Sequence, residues 1–347
     1  MEHGAGIAAF PEGVTLSDIA TATPLLQSAK RGSTELDISF CREVSFVETL
    51  DLSGPRLILK FDDSYSILRN IMKIKQGDVL TCVINDVMHK SKLNFTGDFQ
   101  IMSMPVEGEV VTLNCLLKAV ADMKIPAVQA RLFSKSVSVQ TVLAALAQGL
   151  SCKSTIPALL SAYHLLPGER PSLVLRQLAI EHGAVVYIDR GLLCLGYAIS
   201  LETKPTSLTL HYKNPKIDDQ ILDYTHINSE SLVSDRILRK YTGFNIKDGF
   251  IQAQRYGNCA PETTSADNIA VVDNLSTIAI PILDIITTGS GEIKPGVSLK
   301  FVWNMDVAYK DVLLDESMPT TAYAGAVVHY SAGASNYFCR IKVMKTL

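Results

Sequence analysis

Glu181, His182 and Asp189 lie close together in the stretch ERPSLVLRQLAIEHGAVVYIDRGLLCLGY, residues 169–197. Two carboxyl groups and an imidazole are the side chains that general acid–base chemistry uses. A glycan hydrolase would need the carboxyl groups to face one cleft, about 5 Å or about 6.5–9.5 Å apart. Whether they do depends on the elements that carry them. Pro171 sets the first turn of a helix over 171–182 and Gly183 ends it. At about 100° per residue, Val174, Leu175, Leu178 and Ala179 share one arc, Glu181 sits at its edge, and His182 falls inside it at the C-terminal end. Leu173 and Ile180 form a second apolar strip, as in a helix packed between layers. His182 is then expected to cover the helix end by bonding unsatisfied carbonyls. A hairpin follows, AVVYI and LLCLGY around DRG, and Asp189 is expected to bond nearby backbone N–H groups of the turn. A scaffold role is preferred for all three residues, and no catalytic, cofactor-binding or metal residue is assigned.

Other chemistry finds little support. The chain has no GxxxxGK(S/T), GxGxxG or GxSxG run. The Gly-rich TTGSGE at 287–292 lacks a flanking strand and helix and reads as a flexible loop rather than a phosphate cradle. The seven histidines (3, 89, 164, 182, 211, 226, 329) form no HxH or HxxxH, so no zinc site is expected. Seven cysteines are scattered without a CxxC pair, several in apolar runs such as VLTCVI and LLCLGY. They read as reduced, buried thiols of a protein made in a reducing cytoplasm.

The chain of 347 residues is 47% hydrophobic and 19% charged, with net charge −3 and mean hydropathy +0.20. No apolar run reaches the ~18 residues of a membrane span. High hydropathy without a span implies a large core, or surface buried against other subunits. The densest basic stretch is RILRK at 236–240, which argues against stable nucleic-acid binding. MEHGAGIAAFPEG lacks the basic start and apolar core of a signal peptide.

The fold class expected is α+β, mainly β, with two small β-barrels flanking an α+β helix–hairpin module. Residues 1–34, rich in Ala, Gly, Ser and Thr, read as an N-terminal arm. Short alternating runs from TELDISF onward give a first barrel over 35–125, with one short helix in DDSYSILRNIMKIKQGD capped by Asp62, Asp63 or Ser64 and stopped by Gly77. The module spans 126–205 and includes a helix around Val139, Val142, Leu143 and Leu146, stopped at Gly149. A second barrel spans 206–347, with an irregular insertion at 257–296. KQGDVLTCVIND (75–86) and KPGVSLKFVWNMD (294–306) echo one another, each with a Lys-x-Gly turn before an apolar strand.

The helix–hairpin segment resembles one in the central-hub proteins of contractile phage tails and in the hub-like first module of VgrG-type spike proteins. The residues that carry the resemblance are Leu175, Leu178, Ala179, Glu181, Gly183, Tyr187, Asp189, Gly191 and Leu193. The resemblance implies a homotrimer whose six barrels form a pseudo-hexameric ring between a six-fold tail tube and a three-fold spike. It implies tail tube, spike, baseplate and tape-measure proteins as partners, no cofactor, and a place in the virion tail after assembly in the host cytoplasm. A near-neutral wall suits a channel that DNA crosses without binding. No C-terminal β-helix or lysozyme-like extension is seen, so the spike is expected to be a separate chain, and 257–296 has no counterpart. The expected function is structural and not enzymatic. The alternatives are a cell-wall glycan hydrolase using a carboxylate pair, or a non-viral β-barrel binding module.

Overall fold

The computed structural model describes residues 25–86, 92–214, 216–228, 240–253, 261–305, 314–333 and 336–347. Strands make up 49% of the described residues and helices 15%, so the fold is mainly β. Strands β1 (Leu26–Arg31), β2 (Thr34–Glu35), β3 (Cys41–Thr49), β4 (Arg56–Asp62), β5 (Val79–Asn85), β6 (Asn94–Ser103), β7 (Val106–Glu107) and β8 (Val110–Leu117) build the first half. Their pairing order is β1-β5-β6-β8-β4-β3, with β2 and β7 as short additions. Alternation explains them: along β3, Val44, Phe46 and Glu48 face inward while Glu43, Ser45 and Val47 face out. Most of the expected arm, 1–24, lies outside the described residues, but 26–31 is a strand paired with β5.

The short helix expected after Asp62 shrinks to one wide turn, Ile67–Ile71. Ser66 and Lys73 adopt left-handed backbone on either side of it, with φ of 53° and 51°, which stops a longer helix. The Asp63 carboxylate, one of the expected caps, accepts from the Leu68 N–H at 2.8 Å.

The middle module holds α1 (Lys118–Met123), β9 (Arg131–Phe133), α2 (Val139–Leu146), β10 (Ser151–Ser154), β11 (Tyr163–Leu165), α3 (Pro171–Glu181), β12 (Ala184–Asp189), β13 (Leu192–Tyr197) and α4 (Ile199–Thr203). The expected helix α3 and its hairpin stand as read, and β10 adds to β13 in parallel. Leu175 and Leu178 are fully buried, whereas Leu173 is 54% exposed, so only one apolar strip of α3 is covered within the chain.

The second half contains β14 (Leu208–Tyr212), β15 (Gln220–His226), β16 (Lys240–Asn245), β17 (Gly249–Gln252), β18 (Pro261–Thr263), α5 (Ile269–Asn274), β19 (Ala279–Thr288), β20 (Ser298–Trp303), β21 (Thr321–Ala332) and β22 (Asn336–Thr346). Six of these close on themselves in the order β21-β20-β14-β15-β19-β22, with β22 pairing back to β21. The strand β19 corrects the reading of 257–296 as irregular. A bulge between Pro281 and Leu283 shifts its register, so the inward residues Ile280, Leu283 and Ile285 break the period of two.

The two six-stranded halves are one continuous sheet, because β3 pairs with β4 on one side and β21 on the other. One apolar core runs through both halves and the module, while Tyr241, Ala253 and Val272 form a small separate cluster. Both Lys-x-Gly turns of the sequence echo use a left-handed glycine, Gly77 and Gly296, with φ of 92° and 77°.

Candidate functional site

The three residues singled out in the sequence are not brought together. His182 closes α3 as expected, its Nδ1 bonding the Leu178 carbonyl at 2.8 Å while Nε2 accepts from the Leu160 N–H at 3.2 Å. That pair of bonds fixes the neutral imidazole with its proton on Nδ1. Glu181 accepts from the Tyr163 hydroxyl at 2.6 Å and from the Gln177 amide at 2.8 Å. Burial and this carboxylate keep the Tyr163 phenol protonated well above its ordinary range.

Asp189 lies at the other end of β12, roughly 16 Å of strand from Ala184, too far to share a glycosidase cleft with Glu181. Its carboxylate takes Lys294 Nζ at 2.8 and 3.0 Å instead of the N–H groups of its turn. That corrects the expected turn contact. Lysine 294, on the far side of the chain's middle, offers a full charge where the turn offers only dipoles.

What the hairpin does bring into the interior is Arg190. Asp189 pairs with Leu192 around Arg190 and Gly191, whose φ values are 46° and 89°. Two left-handed residues make the turn that suits a two-residue hairpin. Asparagine or glycine would take the first of these positions with less strain, yet it holds an arginine. Its guanidinium lies 3.3–3.4 Å from both carboxylate oxygens of Glu48 and donates to the carbonyls of Lys92 at 3.1 Å and Gly291 at 2.9 Å.

Around this arginine the halves and the module meet. Glu48, from β3, is fully buried, and its Oε2 is 3.2 Å from Nε2 of His329 on β21, also fully buried. The contact joins the two as a buried ion pair. His329 Nδ1 faces the Tyr337 hydroxyl at 2.8 Å and Cys339 Sγ at 3.3 Å, both from β22. Asp86, at the end of β5, accepts from the Leu93 N–H at 2.8 Å and the Gly291 N–H at 3.0 Å.

The electrostatics follow from burial and opposition. Burial raises the Glu48 carboxyl, but His329 and Arg190 beside it outweigh that and hold it below its ordinary 4.5. Burial likewise works against a charged His329, while Cys339 and Glu48 outweigh it and push the imidazole up to about 9. The Tyr337 phenol is pushed far upward, chiefly by burial. The Glu48 carboxylate is thus set against two cationic groups in the interior, the Arg190 guanidinium and the His329 imidazolium.

A carboxylate, an imidazole and a thiol in line is an order that nucleophilic catalysis uses. Here Glu48, His329 and Cys339 all have zero exposure. The adjoining cavity of about 380 Å³ is lined by Arg190, Gly291 and Lys294 and not by those three. The arrangement ties segments together.

The TTGSGE run is part of this junction, and it is packed rather than flexible. A Cβ on Gly289 would stand 2.2 Å from the Tyr337 ring, and one on Gly291 would stand 2.2 Å from the Leu93 nitrogen and 2.4 Å from Asp86. Close approach is what these glycines provide. Elsewhere the cysteine reading stands for the first half: burial pushes the thiols of Cys41 and Cys115 up to about 12. Among the described residues no group of histidine, cysteine and acidic side chains could hold a metal ion, and no helix is long and apolar enough to cross a membrane. His3, His89, Cys259 and 236–239 of RILRK lie outside the described residues.

Sequence reasoning missed Glu48, Arg190 and His329. The available signal was an ionisable residue on the apolar parity of a strand, Glu48 in phase with Val44 and Phe46, and His329 in phase with Val327.

No protein-family model matches the sequence, and no curated protein matches it. Solved structures do. A tail protein from Neisseria meningitidis superposes with a TM-score of 0.61 at 12% identity, over 92% of this chain and 96% of that one. The fold is that of phage tail proteins. The 43 kDa tail protein of prophage MuSo2 from Shewanella oneidensis aligns over the same shares with a TM-score of 0.58 at 12% identity. The prophage tail protein gp18 from Listeria monocytogenes gives 0.51 at 10% identity, over 92% of this chain and 94% of that one. The tail-protein fold thus includes both halves and the module between them.

Proposed function

We propose that this chain is a structural tail protein: the trimeric hub at the tail tip or baseplate, joining a six-fold tail tube to a three-fold spike and lining the DNA channel. The observation that carries the reading is the pair of six-stranded halves joined edge to edge through β3 and β21. Three copies of a chain with two such halves present six, which is how a three-fold assembly can meet a six-fold one. The division into a first barrel at 35–125 completed by the strand 26–31 of the expected arm, a module at 126–205 and a second barrel at 206–347 belongs to this proposal. So do the tail tube, spike, baseplate and tape-measure partners, the absence of catalytic residues and cofactors, and assembly in the host cytoplasm before incorporation in the virion tail. Mean hydropathy of +0.20 supports subunit contacts, and a net charge of −3 supports a wall past which DNA slides.

Light scattering and negative-stain imaging of the purified chain test the reading. The expected particle has three times the mass of the 37.8 kDa chain and shows a three-fold ring with a central channel. A monomer at every concentration would overturn the hub.

A further inference from the structure

The hairpin β16–β17 stands apart from the main core. Its inward residues, Tyr241 and Ala253 with Ile251, pack on Val272 of α5. Gly243 lies so close to the 261–268 segment that a Cβ there would stand 2.3 Å from the Ala266 carbonyl oxygen. Its other face carries two aromatic rings beside the polar pair Thr242 and Gln252. Phe244 pairs with Phe250 across the ladder, their rings edge to face at 5.6 Å. These two are 53% and 79% exposed, and Ile246 at the turn is 97% exposed. Three large apolar side chains left together on one open face mark a site of contact.

The same chain offers a recess of about 280 Å³ between α1, the end of α2 and the start of α3, lined by Met123, Ala127, Val128, Ala145, Leu146 and Pro171. Val128 is 90% exposed at its rim. The recess is smaller than the roughly 300–1,000 Å³ of ordinary small-molecule pockets, and its apolar floor is rimmed by Asp122, Gln129, Arg131 and Gln148, a lining that suits one apolar side chain with polar groups around it. It cannot readily receive the hairpin of its own chain. The helix α5 is tied to the C-terminal end of α3 by Asn274, whose amide donates to the Glu181 carbonyl at 3.1 Å. The recess lies at Pro171, the other end of the same helix, about 16 Å away along its axis.

Charge agrees with a second copy as the occupant. The hairpin sheet and α5 carry Asp248, Glu262, Asp267 and Asp273 against Lys240 and Lys247. The recess itself is lined by Arg131 and Asp122, and beside it Lys124 stands among Arg56, Arg170 and Arg176 with Asp51 as the opposing charge. Burial and this crowding of cations lower the Lys124 ammonium.

We propose that the face carrying Phe244, Ile246 and Phe250 of one copy docks over the α1–α2–α3 recess of the next, with one of these side chains entering it, a head-to-tail contact between copies of this chain. The inference deepens the hub reading and rests on its oligomer. A contact between two different patches closes copies into a ring when its rotation permits, and the acidic hairpin sheet facing the cations beside the recess sets its polarity.

The test uses the 347-residue chain and two variants at exposed positions, Phe250→Asp in the hairpin and Val128→Asp at the recess, with circular dichroism melting as a check on folding. Each alone should raise the dissociation constant of the oligomer roughly tenfold or more in analytical ultracentrifugation. Mixed in equal amounts, they retain one intact contact, the Val128→Asp chain's hairpin in the Phe250→Asp chain's recess, and should form a one-to-one dimer and no ring. Variants that assemble like the unmodified chain overturn the docking and leave the hub reading standing. Single variants that are monomeric and stay monomeric when mixed overturn it too. An unmodified chain that is itself a monomer overturns the hub reading and the docking together.

Discussion

The junction around Arg190 and the hairpin around Phe250 break the same rule in opposite directions. At the junction, Glu48 and His329 occupy the apolar faces of strands and have zero exposure. In the hairpin, aromatic rings occupy the open face, Phe250 at 79% exposure. The first departure is compensated within the chain. The carboxylate of β3 meets the imidazole of β21 and the guanidinium of the hairpin turn, so three separate segments must be in register for any of these charges to be tolerated. The second departure is not covered within the described chain. A buried charge that is paired specifies how one chain folds, whereas a bare apolar face specifies contact with something outside it.

Removing Glu48 should break the first region most severely. Glu48→Ala leaves Arg190 and His329 without their counter-charge in the interior and should cost about 3–5 kcal/mol, read from urea unfolding. A loss under about 1 kcal/mol would show that water reaches the cluster and that it behaves as a surface pair.

A smaller effect with a definite sign comes from pH. An unfolded histidine releases its proton near 6.5, whereas folded His329 holds it to about 9. Between those values the folded chain binds the extra proton, so its stability falls as pH rises. The contribution is complete below 6.5 and lost through about 9. Glu48, held below 4.5, acts at the acid end, its contribution fading as pH falls through its folded value. Unfolding free energies of the unmodified chain and His329→Gln, compared from pH 6 to 10, should converge toward the alkaline end. A constant difference would mean that His329 is neutral in the fold.

The sequence made the frame of the junction legible and its partners illegible. Helix α3 could be read because Pro171, the arc of Val174, Leu175, Leu178 and Ala179, and Gly183 are local signals acting within a few turns. So could the β12–β13 hairpin, with its turn of Arg190 and Gly191. The destination of the Arg190 side chain could not be read, since Glu48 is 142 positions away and His329 lies beyond it. Nor could β19, where a bulge at Pro281 hid the alternation. The TTGSGE glycines looked like freedom, because composition cannot tell a glycine needed for movement from one needed for close approach. Glu181 and Asp189 attracted attention by type alone, and the length of β12 parts them.

The smallest expected effect sharpens the comparison from the hairpin side. Ile246 is 97% exposed, so Ile246→Ser removes almost no buried area within the chain. Its unfolding free energy should stay within about 0.5 kcal/mol of the unmodified protein when measured at concentrations where only monomer is present. At concentrations where the unmodified chain assembles, the same variant should melt earlier, because binding that favours the folded state adds stability by mass action. Glu48→Ala should show the reverse pattern, a large loss that does not depend on protein concentration. If Ile246→Ser weakens the monomer itself, the bare face is covered by its own chain, and the two regions differ only in the sign of what they bury.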